Sequence, residues 1–205
     1  SNLGTTLQEL GRLDEAELSL RKAIALKADY APAYNNLGLI LQDLERLDEA
    51  KENYINAIAL KADFAEAYNN LGNTLKQQGK LDYAEENYIK AIALKKTYAE
   101  AHNNLGVTLQ QKGKLVEAKY SYRQAIALNS NYAEAHNNLG AILQELDILD
   151  EAEASFRKAI ELKPDYAEAY NNLGVIFQEM HELEDAKESY KKAVVLKPDY
   201  AEAYS

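Results

Sequence analysis

Apolar and polar positions along the chain repeat with two periods at once. Within residues 65–98, Tyr68, Leu71, Gly72 and Leu75 fall at three- and four-residue steps, which puts them on one helical face. Gly79–Lys80 breaks the pattern; Leu81, Ala84, Tyr88, Ala91 and Ile92 resume it, and Lys95–Thr97 ends it. The spacing predicts two helices joined by a short turn. The longer period is 34 residues: Gly4, Gly38, Gly72, Gly106, Gly140 and Gly174 recur at that interval. Three further series keep phase with the glycines. They are Ala16 to Ala186, Ala23 to Ala193, and the series Leu20, Tyr54, Tyr88, Tyr122, Phe156 and Tyr190. With the glycine at position 8 of a unit, the alanines fall at 20 and 27 and the aromatic at 24. Small residues let two helix backbones approach closely, and the aromatic fills the space beside them.

A unit of this length cannot bury a core alone, so neighbours must stack. The register gives complete units at 31–64, 65–98, 99–132, 133–166 and 167–200, with a partial unit at 1–30 and the start of another at 201–205. Neither end reads as the polar closing unit such arrays use, so the expectation is one array continuing beyond this sequence. Position 33 carries Asp29, Asp63, Thr97, Asn131, Asp165 and Asp199, all good helix N-caps. Three residues later come Glu66, Glu100, Glu134, Glu168 and Glu202, the spacing of a capping box. Pro32 breaks that series but suits a first helical turn.

These positions identify a resemblance to the tetratricopeptide repeat family, whose unit is a helix–turn–helix of this length. The family pattern wants a large aromatic at 4, Leu at 7, Gly at 8, Ala at 20 and 27 and an aromatic at 24, and the chain matches over its whole length. The departures are His102 and His136 at position 4, and Ala62, Lys96 and Ser130 where Pro is usual. The resemblance implies an all-α fold: a right-handed α–α superhelix, or solenoid, of antiparallel helix pairs whose first helices line a concave groove. Chaperone-binding members grip a C-terminal carboxylate with basic residues at positions 2, 5 and 6. Here those positions hold Glu, Asn and Asn, so that clamp is absent.

Position 6 is asparagine in every unit: Asn2, Asn36, Asn70, Asn104, Asn138 and Asn172. Position 5 is asparagine at Asn35, Asn69, Asn103, Asn137 and Asn171. Asparagine is a poor residue inside a helix, so this row asks for a reason. Each amide offers a donor and an acceptor, and a row of them along a groove suits the backbone of an extended peptide. Positions 2, 6, 9 and 13 share a face away from the core aromatic. The row also resembles the asparagine ladder of the O-linked N-acetylglucosamine transferase repeat domain, which implies ligand-holding by Asn36, Asn70, Asn104, Asn138 and Asn172. Asn73, Gln77 and Gln111 join them as groove neighbours. The competing reading has the amides bonding to the next repeat; ligand-holding is preferred at position 6 and inter-repeat bonding at position 5. The glutamates at position 2 are assigned to capping rather than to a ligand.

Composition narrows the function further. There is no cysteine, hence no disulfide framework, thiolate metal site or cysteine nucleophile. Acidic residues outnumber basic ones, 33 to 23, which argues against nucleic acid and favours a neutral to basic segment as partner. No apolar run is long enough for a membrane span, and no signal peptide opens the chain; the expected setting is cytoplasmic. His102 and His136 read as packed side chains and His181 as a solvent-facing turn residue. No nucleophile–base pair, phosphate loop or metal spacing is present, so no catalytic residue, cofactor or metal is expected. The reading is a non-catalytic protein- or peptide-binding scaffold. The alternatives are the substrate-recruiting arm of a larger enzyme, such as a glycosyltransferase, and head-to-tail self-association through uncapped ends.

Overall fold

The computed structural model describes residues 12–198, so the readings placed on Asn2, Gly4, Asp199, Glu202 and the segment 201–205 lie outside the described residues. The described residues form eleven helices and no strand. In chain order these are α1 (Leu13–Leu26), α2 (Ala31–Asp43), α3 (Leu47–Leu60), α4 (Ala65–Gln77), α5 (Leu81–Leu94), α6 (Ala99–Gln111), α7 (Leu115–Leu128), α8 (Ala133–Glu145), α9 (Leu149–Leu162), α10 (Ala167–Glu179) and α11 (Leu183–Leu196). They fall into two compact units, Ser1–Thr108 and Leu109–Ser205. In the first unit α2 pairs with α3 and α4 with α5; in the second α8 pairs with α9 and α10 with α11. Three-residue turns join the helices of a pair, which forces them antiparallel.

The even-numbered, first helices of a pair end in one way. After α2, the Arg46 N–H donates to the Leu41 carbonyl at 2.8 Å and the Glu45 N–H to Gln42 at 2.9 Å. That is a Schellman motif, which satisfies carbonyls the helix leaves unpaired. The same bond runs from Lys80 to Leu75, Lys114 to Leu109, Ile148 to Leu143 and Glu182 to Phe177. The motif needs a left-handed residue at position 15. Gly79 and Gly113 supply it at φ 73°, but Glu45, Asp147 and His181 adopt it at 58–63° despite their side chains. His181 is exposed there, as the sequence suggested.

The helix starts differ from the capping expectation. At α2, α4, α8 and α10 the N-cap is the aromatic at position 34 (Tyr30, Phe64, Tyr132 and Tyr166), and no side chain caps the helix. Backbone bonds close the turn instead: before α4 the Phe64 N–H donates to Lys61 O at 3.2 Å and the Ala67 N–H to Phe64 O at 3.1 Å. A lysine then stacks on the cap ring, Lys61 over Phe64 at 4.8 Å, Lys95 over Tyr98 at 4.6 Å and Lys163 over Tyr166 at 4.9 Å. The glutamates are thereby released for another use. Pro32 does sit in the first turn of α2.

Packing turns on positions 8 and 24. Tyr54, Tyr88, Tyr122 and Phe156 are completely buried. A Cβ on Gly38 would lie 2.6 Å from the Tyr54 ring, on Gly72 2.7 Å from Tyr88, on Gly140 2.7 Å from Phe156 and on Gly174 2.6 Å from Tyr190. The ring of each second helix thus lies directly on the backbone of its own first helix. Ala50, Ala57, Ala84 and Ala91 are also fully buried, as alanines at 20 and 27 should be. Within the first unit α2 approaches α4, and within the second α8 approaches α10. Among the described residues no two second helices of a unit come as close, so the first-helix face is the inner one of each unit.

Gly72→Ala should lose about 2–3 kcal/mol in urea unfolding, because the tyrosine ring has no room to retreat. Glu45→Gly should gain about 0.5 kcal/mol. Relief of about 1–2 kcal/mol of left-handed strain outweighs the added freedom of the unfolded chain. Asp147→Gly and His181→Gly should gain less, since aspartate and histidine tolerate this conformation better.

Candidate functional site

The first-helix face is built from three amide networks. At position 5, Asn35, Asn69, Asn103 and Asn137 are buried, at most 6% exposed. A buried amide must be bonded, and these are. Asn35 Oδ1 accepts from Asn70 Nδ2 at 3.0 Å and Asn69 Oδ1 from Asn104 Nδ2 at 3.1 Å in the first unit. Asn137 Oδ1 accepts from Asn172 Nδ2 at 3.2 Å in the second. The position-5 nitrogen goes to a glutamate at position 2 of the following repeat: Asn69 to Glu100 at 3.0 Å and Asn137 to Glu168 at 3.2 Å. Glu66 instead accepts from Lys95 at 2.8 Å, which holds its carboxyl below the usual range. Glu100 and Glu168 therefore join repeats where capping was expected.

The preferred site residues are placed as follows. Asn36, Asn70, Asn104, Asn138 and Asn172 are all half-buried on the first helices. Asn36 Oδ1 accepts from Asn35 Nδ2 at 3.4 Å. Asn70, Asn104 and Asn172 each donate one N–H to the position-5 amide oxygen of the preceding repeat, so inter-repeat bonding, expected at position 5, extends to position 6. Asn73 Oδ1 is taken by the Tyr88 hydroxyl at 2.7 Å, and Gln77 Oε1 by Gln42 Nε2 at 3.1 Å. Gln111 is exposed at the end of α6.

Sequence reasoning missed a row at position 12. Gln42, Gln110 and Gln178 accept from the tyrosine at position 24 of their own repeat, at 3.2, 3.1 and 3.0 Å. Burial pushes the Tyr54, Tyr88 and Tyr122 hydroxyls well above their ordinary pKa, so they remain donors. The nitrogens of the row reach position 13 of the following repeat: Gln42 to Gln77, Gln110 to Glu145, and Gln144 to Glu179 at 2.8 Å. Where position 12 is Lys76, the tyrosine turns to Asn73 instead. That compensation was visible in the sequence, since the one repeat lacking glutamine at 12 is the one with asparagine at 9.

On the second helices the carboxylates are paired with cations instead. Arg46 bridges Glu17 and Glu49 at 2.7 Å each, and Arg123 meets Glu151 at 2.7 Å. Such exposed pairs contribute little stability. Among the described residues no cluster of three or more histidine, aspartate or glutamate side chains is arranged to hold a metal ion. His102 and His136 are half-buried, and burial lowers the pKa of both. The His136 ring nitrogen Nε2 lies 3.1 Å from the Ser130 carbonyl. No helix among the described residues is long and apolar enough to cross a membrane.

These helix pairs, with a glycine under a ring in each, define an α-helical repeat protein, and comparison with known sequences gives the family. A TPR repeat model matches residues 4–45, 40–79, 72–113 and 109–147, and a tetratricopeptide repeat model matches 131–197. The chain belongs to the tetratricopeptide repeat family. Comparison with curated proteins gives no match. Among solved structures, it is similar to YrrB, a TPR protein with an unusual peptide-binding site. They share 28% identity over 89% of this chain and 94% of YrrB, with a TM-score of 0.70. It is also similar to MamA, with 26% identity over 81% of this chain and 97% of MamA and a TM-score of 0.71. PilF of Pseudomonas aeruginosa shares the fold at a TM-score of 0.87, with 22% identity over 96% of this chain and 90% of PilF.

Stability should fall as pH drops through the ordinary histidine value of 6.5. With a depressed folded pKa, His102 and His136 bind fewer protons folded than unfolded, so acid favours unfolding. Thermal unfolding between pH 7.5 and about 5 checks this. His102→Tyr with His136→Tyr, matching Tyr68 and Tyr170, should flatten the slope. An unchanged slope would exclude the histidines as its source.

Proposed function

We propose that this chain is a non-catalytic scaffold that holds an extended protein or peptide segment along its first-helix face. The observation that carries the reading is the state of the position-6 amides. One N–H of Asn70, Asn104 and Asn172 is fixed to the neighbouring repeat, so the remaining N–H and the oxygen are already oriented toward the face. A preorganised amide loses little side-chain entropy on binding, and its two groups match the C=O and N–H of a peptide unit. Asn36 and Asn138 complete the row, with Asn73, Gln77 and Gln111 beside it.

The partner we favour is neutral to basic. The net charge is −10, and α8 and α10 carry Glu134, Glu145, Glu168 and Glu179 but neither lysine nor arginine. The peptide-binding site of YrrB supports the class of ligand. A cytoplasmic setting fits a cysteine-free chain.

Short peptides immobilised as an array provide the test. The triple variant Asn70→Ala, Asn104→Ala, Asn138→Ala should bind the best array peptide on the order of 100-fold more weakly, at about 1 kcal/mol per lost bond. Urea unfolding of the same variant must show a folded chain. Arg123→Ala serves as the control: it removes the inter-repeat pair with Glu151 on the second helices while leaving the position-5 and position-6 amides in place. Unchanged affinity in the folded triple variant would overturn the reading.

A further inference from the structure

The buried tyrosines reach the ligand face, and they do so with a direction. In the first unit the Tyr54 hydroxyl donates to Gln42 Oε1 at 3.2 Å. Thr74 Oγ1 lies 3.2 Å from that oxygen and 3.2 Å from the Asn70 backbone carbonyl, and its single hydrogen is divided between them. With the Gln42 oxygen engaged by Tyr54, its nitrogen donates to Gln77 Oε1 at 3.1 Å. With its oxygen engaged toward α2, Gln77 presents its NH2 group outward from an exposed position. Asn70 lies two turns earlier on the same face of α4, about 10 Å along the axis. It is oriented the opposite way, because its Nδ2 is bound to Asn35. The face of α4 thus offers an oxygen at Asn70 and an NH2 at Gln77.

We propose that Tyr54 and Gln42 are positioning residues that fix Gln77 as a hydrogen-bond donor, so that α4 selects an uncharged stretch of peptide supplying a carbonyl oxygen at Gln77 and an N–H at Asn70. This rests on the peptide-holding reading and adds to it a polarity. The second unit supplies the contrast. There the same relay, Tyr122 to Gln110, ends on Glu145, and Gln144 ends on Glu179. A carboxylate only accepts, so those positions take N–H donors, the ammonium of lysine or the guanidinium of arginine. Phe156 brings no hydroxyl to Gln144, yet Gln144 is oriented all the same, because a carboxylate attracts the amide nitrogen by its charge. Gln77 is neutral and has no such preference; the tyrosine supplies it.

Two variants and two readouts test this. Tyr54→Phe keeps the ring that fills the core, as Phe156 does naturally. Its expected effect is on the side-chain NH2 resonances of Gln42 and Gln77, which should shift and broaden as the amides rotate. On the same peptide array, its preference for uncharged over lysine- or arginine-bearing peptides should fall on the order of 5-fold. Gln77→Glu, with the tyrosine intact, should invert that preference. Unchanged amide resonances in Tyr54→Phe would overturn the relay. Shifted resonances with array profiles identical to the unmodified chain in both variants would overturn the recognition role. An unmodified chain that retains no peptide at all would overturn the holding reading and the recognition role together, while the resonances would still decide whether the relay exists.

Discussion

The contact between the ring at position 24 and the glycine backbone at position 8 is the constraint on which the rest depends. It sets how near the two helices of a pair can lie, because the ring sits where a Cβ would otherwise be. That separation lets the tyrosine hydroxyl reach the glutamine one turn along the first helix from the glycine. It also holds the first helix at a fixed rotation, which aims positions 5 and 6 at the neighbouring repeat. A larger residue at position 8 would therefore disturb both the core and the polar face beyond it.

The polar face divides its work between adjacent residues. Asn69 and Asn137 at position 5 are buried and serve the array: oxygen and nitrogen are both consumed by the next repeat. Asn70, Asn104 and Asn172 at position 6 are half-buried and each gives one hydrogen to the preceding repeat. The contrast arises from a single residue step, 100° around the helix, which carries a side chain from the seam toward the open side. Charge follows the same division. Carboxylates on the second helices meet arginine and lysine, whereas Glu100, Glu145, Glu168 and Glu179 on the first helices are held by neutral amides.

Much of this was legible in the residues. The period, the helix pairs, the glycine–aromatic core and the asparagine rows follow from spacing alone, because a helix repeats its faces and a stacked unit repeats its neighbours. Three things were not legible. The aspartate, threonine or asparagine before each first helix promised a cap, but the turn is closed by backbone bonds and a stacked lysine, and cap propensity lost to that geometry. The glutamates at 2 read as capping partners because the donor they accept from lies 31 residues away in sequence. The glutamines at 12 were overlooked because they lie on the seam, between the core stripe and the presumed ligand stripe. A hydrophobic pattern carries no signal for a residue whose role is to receive a hydroxyl from behind.

The repetition of identical rungs has a consequence for any chain lying along them. Asn35–Asn70 and Asn69–Asn104 are the same bond displaced by one repeat. A segment held by such rungs alone would have several equally good alignments and would slide between them, as a ruler marked only in whole units slides against another. What ends the ambiguity is imperfection in the series. Asn73 and Lys76 stand where the other complete repeats have an apolar residue and a glutamine, and they make one alignment unlike the next. The least regular repeat is thus the one that tells a bound segment where it is.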